Sequence, residues 1–169
     1  MEKKAAAILA GEEVEEDGDT TRGVFITGQK FRWTNGIVPY EIDPNLPNQK
    51  RITDAITHWQ EKTSIRFVWR TSSNTSQYPN YIYFKPENGC WSYIGMQGGR
   101  QEIGLAEGCS TGSTIHEIGH ALGLWHEQSR EDRDRNIRIH WENIEDREKP
   151  NKKLRNAFKR HKEFFDAQD

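Results

Sequence analysis

Apolar residues at Ile52, Ala55, Ile56 and Trp59 recur at i, i+3, i+4 and i+7 within residues 49–62. That spacing lines one face of an amphipathic helix. Elsewhere the signals are those of strands. Residues 37–42 (IVPYEI) follow the Asn35-Gly36 turn signal, and residues 64–70 (SIRFVWR) alternate polar and apolar side chains. Residues 81–85 (YIYFK) are a third strand, and 91–95 (WSYIG) a fourth candidate. A glycine-rich turn and a short apolar piece at 103–106 follow. Pro39 lacks a backbone donor, which suits an edge or strand end better than the middle of a sheet. A second helix is expected to start near residues 110–113, where several side chains can cap it. The order strand, helix, strands, helix predicts an α+β domain with helices packed on one sheet.

Composition narrows this picture little. The 169 residues fit one domain with a modest core, and 33% apolar against 30% charged residues lies at the polar edge of globular composition. Much of the polarity is local: residues 11–20 are rich in Asp and Glu, and 127–169 are dense in Arg, Lys, Asp and Glu. Residues 1–30 read as an acidic N-terminal arm, with order expected from about Phe31. A formal net charge of −2 offers no electrostatic footprint for nucleic acid, and no apolar run approaches the length of a membrane span. The start, MEKKAAAILAGEEVEED, has the lysines of an export signal but too short an apolar stretch, and reads as a leader remnant. Cys90 and Cys109 permit one disulfide and by themselves prove nothing.

The chemistry concentrates in residues 113–128, STIHEIGHALGLWHEQ. On a helix His116 and His120 lie one turn apart on one face and can address the same ion. A straight continuation would carry His126 about 15 Å along the axis from His116, out of reach. Gly123 is the residue that allows the helix to end and the chain to turn back, because glycine accepts the left-handed backbone. Three neutral imidazoles leave a position for water on a zinc ion, which lowers that water's pKa. Glu117, beside His116, can flank the ion and move the water's proton to a leaving amine. The expected reaction is zinc-dependent hydrolysis of peptide bonds, with one zinc ion. His58, His140 and His161 are expected to be solvent-facing or structural.

The run His116–His126 matches H-E-x-x-H-x-x-G-x-x-H, the metzincin signature. Glu127, Ser129-Arg130 and Asp132-Arg133-Asp134 after it make the chain resemble the astacin family of zinc endopeptidases. Trp33 with 36–40 (GIVPY), Thr63 with 65–67 (IRF), 89–95 (GCWSYIG) and 139–143 (IHWEN) extend the resemblance over about residues 31–143. Bacterial-type members look most similar. The resemblance implies a metzincin-like N-terminal subdomain: a twisted mixed sheet with a backing helix and an active-site helix, over residues 31–126. It implies that His116, His120 and His126 ligate zinc, that Glu117 is general base and acid, and that Cys90 pairs with Cys109. Trp91, Ser92 and Tyr93 would be the sheet edge that pairs with an extended substrate. Glu127 would meet a new N-terminus after activation. Residues 1–30 would then be a pro-segment remnant, although the usual pattern is not clear around Asp17 and Asp19. The implied partner is a protein or peptide substrate, the compartment extracellular, and the state monomeric.

Two departures stand out. Ser64 occupies the place of a cysteine in the family's second disulfide, so that bridge is not expected. The family also continues into a C-terminal subdomain with a methionine turn beneath the zinc. Residues 127–169 are expected to be only its start, with a charged helix near 149–165. Met1 and Met96 cannot replace that methionine, which predicts weak or no peptidase activity for the chain alone. Other readings are a zinc hydrolase with a glutamate third ligand, against which Gly123 and His126 speak, and a non-catalytic peptide-binding domain. A structural zinc site would need a fourth protein ligand, and none is found nearby.

Overall fold

The computed structural model describes residues 25–129, 133–135 and 137–140. Five strands form one sheet: β1 (Ile37–Ile42), β2 (Arg66–Trp69), β3 (Tyr81–Pro86), β4 (Trp91–Ser92) and β5 (Arg100–Leu105). The strand order is β2-β1-β3-β5-β4. β1 runs parallel to β2 and β3, and β3 parallel to β5; only β4 runs antiparallel, against β5. The sheet is therefore mixed, as expected.

Register brings one residue set to a common face. Val38 opposes Phe67, Tyr40 opposes Ile82, Ile42 opposes Phe84, and Phe84 opposes Ile103. Helices α1 (Lys50–Lys62) and α2 (Thr111–Ala121) share a core with these residues through Ile52, Ala55, Ile56, Ile118 and Ala121. Ile52, Ala55 and Ile56 are buried and Trp59 packs against the core, as the helical spacing requires, while His58 is exposed. Removing this apolar surface from water is the main stabilising term of such a domain.

Three details correct the sequence reading. Pro39 lies in the third position of a strand with neighbours on both sides, and it is buried. The Tyr40 carbonyl accepts from Arg70 N on the β2 side, so the alternating pattern turns the Pro39 nitrogen toward β3. Pairing with β3 begins only at Tyr40, so the missing donor falls where no partner strand has yet arrived. The strand expected over 91–95 lasts only through Ser92, because the chain turns at Gly95, whose φ is +73°. Contacts also begin earlier than Phe31: Phe25 forms an antiparallel bridge with Leu124, and Ile26 N donates to the Gly123 carbonyl at 2.8 Å. The expected helix near 149–165, His161, Asp17 and Asp19 lie outside the described residues.

Candidate active site

Helix α2 starts with Ser110, whose Oγ accepts the Ser113 amide at 3.1 Å, so the expected capping is present. It ends in a paired closure: Leu124 N donates to the Gly119 carbonyl at 2.9 Å and Gly123 N to the His120 carbonyl at 2.8 Å. This is the Schellman arrangement, and Gly123 holds the left-handed φ it requires, +109°. The chain reverses there. His126 Nε2 comes to 3.0 Å from His116 Nε2 and 2.9 Å from His120 Nε2.

The donor set fits a zinc ion. Tetrahedral ligands at about 2.0–2.1 Å lie roughly 3.3 Å from one another, within a few tenths of the spacings seen. The His120 Nδ1 lies 2.7 Å from the Leu124 carbonyl, which can only accept. The Nδ1 therefore carries the proton, and Nε2 keeps its lone pair for a metal. Among the described residues this is the one group of histidine, cysteine or carboxylate side chains gathered closely enough to hold an ion. His120 is buried, whereas His116 and His126 are exposed and form the open side of the site.

Glu117 is 7% exposed beside this triad. Burial raises its pKa above the ordinary carboxylate value, and the neighbouring His120 and His116 pull the other way. Burial, joined by His120 and His116, lowers the pKa of His126 and so favours the neutral imidazole that ligates. Glu127 opens a short 3-10 turn, Glu127–Ser129, directly after the triad and is exposed.

The region around β4 adjoins this site. Gly95 N donates to the His120 carbonyl at 2.8 Å, so the turn after β4 is bonded to the metal-bearing helix. The Trp91 ring lies directly on Gly104 of β5: a Cβ there would come within 2.2 Å of Trp91 Nε1. Ser92 Oγ donates to the Tyr93 carbonyl, and Tyr93 is 52% exposed with its ring edge-on to Trp91. Cys90 and Cys109 form a disulfide with Cα atoms 6.0 Å apart, which ties the start of β4 to the loop before α2.

Several supports join residues far apart in the sequence, with contacts that no motif specifies. Trp33 Nε1 donates to the Ala121 carbonyl at 2.8 Å and Trp59 Nε1 to the Ile115 carbonyl at 3.1 Å, so two indoles hold the metal-bearing helix. Gly119 is needed because Leu124 and Trp59 close over it, at 3.3 and 3.4 Å from where a Cβ would stand. Arg51, 2% exposed, donates to the carbonyls of Ala106 and Cys109, both at 2.7 Å. It thereby fixes the loop leading into α2, and burial lowers its pKa. Only the Leu124 contact had a readable signal: an apolar residue right after a helix-closing glycine. Met96 packs against the core and lines a groove of about 350 Å³ that none of the three histidines lines.

A mixed sheet carrying a helix that ends in a left-handed glycine, with a third imidazole returning past that turn to meet two on the helix, defines a zinc site of the metzincin kind. Residues 25–166 match the peptidase family Astacin. The chain belongs to the astacin family. Blastula protease 10 of Paracentrotus lividus is 43% identical over 119 residues, 68% of this chain and 20% of that protein. Zinc metalloproteinase nas-12 of Caenorhabditis elegans is 38% identical over 143 residues, 82% of this chain and 36% of that protein. The chain thus spans well under half the length of these relatives. High choriolytic enzyme 1 from Oryzias latipes, a hatching enzyme zinc-protease, superposes with a TM-score of 0.63 at 32% identity, covering 88% of this chain and 69% of that one. The expected likeness to bacterial-type members is corrected: these relatives are animal proteins.

Proposed function

We propose that the chain carries the metal-binding part of a zinc endopeptidase that cleaves protein or peptide substrates. His116, His120 and His126 hold the ion through Nε2. When bound, zinc supplies Lewis acidity that polarises water and a peptide carbonyl. Glu117 takes a proton from that water and delivers it to the leaving amine nitrogen; its raised pKa suits a group that must accept and then release a proton. Trp91, Ser92 and Tyr93 receive the substrate as an added strand, a role supported by the edge position of β4 and its bond to α2 through Gly95.

Residues 31–126, together with 25–30, serve as the zinc-bearing subdomain, and 127–169 belong to the next. The protein works as a monomer, and in an extracellular, oxidising compartment; the compartment is supported by the Cys90–Cys109 bridge. The observation that carries the proposal is the meeting of three Nε2 atoms beside a buried glutamate.

Metal analysis of the purified protein should give one zinc per chain, lost in His126→Ala. Any casein cleavage by the zinc-loaded protein, expected to be weak for this chain, should vanish in Glu117→Gln with zinc retained. Full zinc occupancy in His126→Ala, or undiminished cleavage in Glu117→Gln, would overturn the assignment. The second reading, peptide capture without turnover, is favoured by the exposed edge at Tyr93. Extended-peptide binding without any Glu117-dependent cleavage would establish it.

A further inference from the structure

The turn that returns His126 does not stand alone. Ile26 lies over it, with its Cγ2 3.3 Å from where a Cβ on Gly123 would stand and 2.9 Å from the same point on Gly95. Both glycines have left-handed backbones, with φ of +109° and +73°. One methyl group thus fills a socket formed by two glycines, one in the turn after β4 and one in the turn after α2.

The backbone around Ile26 is tied to the same two turns. Ile26 N donates to the Gly123 carbonyl at 2.8 Å, and Phe25 bridges Leu124. Leu124 supplies the carbonyl that orients His120. On the other side Gly95 N donates to the His120 carbonyl, and Met96 N donates to the Phe31 carbonyl at 2.9 Å. The segment 25–31 therefore straps the 123–126 turn to the 95–96 turn, with Ile26 as its peg.

We infer that Ile26 is a positioning residue for the zinc site: it holds the 123–126 turn so that the Leu124 carbonyl and the His126 imidazole keep their places. It touches neither ion nor substrate, so its effect is transmitted through Gly123 and Leu124. This rests on the three-histidine zinc reading. Groups that orient metal ligands typically change metal affinity by about 10–100-fold when removed.

The test is a competition titration of zinc against a chromophoric chelator, made on the full chain well below its unfolding temperature. Ile26→Ala should raise the zinc Kd by roughly tenfold, at the lower end of that range. Ile26→Val keeps the Cγ2 methyl and should restore affinity to near the starting value. Cobalt-loaded protein should show a shifted ligand-field spectrum in Ile26→Ala and an unshifted one in Ile26→Val. Val38→Ala, in the core and not part of the strap, should lower the unfolding temperature and leave the zinc Kd unchanged.

Unchanged affinity and spectrum in Ile26→Ala would overturn the positioning role while leaving the zinc site standing. So would a matching loss of affinity in Val38→Ala, since the effect would then be general stability. If the unmodified chain binds no zinc, the zinc reading falls first and the strap's role with it.

Discussion

The sheet ends in two edges that differ in what occupies their backbone groups. At the β2 edge the Phe67 amide donates to Gln60 Oε1 of α1 at 3.0 Å. The Trp69 carbonyl accepts from Asn74 Nδ2 at 3.2 Å, and Arg66 donates to the Ile65 carbonyl at 2.8 Å. Side chains thus stand where another strand would pair. At the other edge β4 is two residues long and pairs with β5 alone; just past it Ser92 Oγ and Gln97 Nε2 hold the Tyr93 and Ile94 carbonyls, but among the described residues no side chain bonds to the backbone of Trp91 or Ser92. An unplugged edge invites strand addition. The fold leaves that invitation open on the side of the three histidines and closes it on the far side, which is why the proposed function places an added peptide strand at β4 and not at β2.

The largest test separates recognition at β4 from chemistry. Glu117→Gln should lower turnover by roughly 10²–10⁴-fold, the usual worth of a general base, with peptide affinity at the β4 edge unchanged in equilibrium binding. A matching loss of affinity would mean that the glutamate builds the edge as well as serving the reaction.

Next in size is the Cys90–Cys109 tether, which anchors β4 and has no counterpart at β2. Replacing both cysteines by serine opens a loop of separation 19 and should cost about 3 kcal/mol in denaturant unfolding. Hydrogen exchange should accelerate at Trp91–Ser92 before it does at Arg66–Trp69. Equal acceleration at both edges would deny the tether a local role.

Gly123→Ala follows. Its φ of +109° is strained for any other residue, and a methyl there would press on Ile26 at 3.3 Å. A loss of about 1–3 kcal/mol is expected, together with weaker zinc binding. Stability lost with zinc affinity intact would show that the turn folds by another route.

The smallest effect lies at the closed edge. Gln60→Ala frees the Phe67 amide and should cost about 1 kcal/mol. It should also increase self-association in sedimentation velocity, because β2 then exposes an unpaired donor. A strictly monomeric variant would break the contrast between the two edges.

The triad was legible because its determinants are local. Helical periodicity aligns His116 with His120, and a glycine three residues past His120 forces the reversal that brings back His126. The α1 face at Ile52, Ala55, Ile56 and Trp59 and the cap at Ser110 were local in the same way. The Cys90–Cys109 pair came from family likeness, since two cysteines alone do not specify a bridge.

What the tertiary structure decided concerns partners distant in sequence. Ile26 seats between glycines at 95 and 123, Trp33 reaches Ala121, and Arg51 bonds carbonyls at 106–109. Nothing in the side-chain pattern encodes those pairings. The strand order β2-β1-β3-β5-β4 and the place of Pro39 within it were likewise settled by packing. A local pattern fixes which way a side chain faces along its own element, whereas its partner depends on which elements the common core brings together.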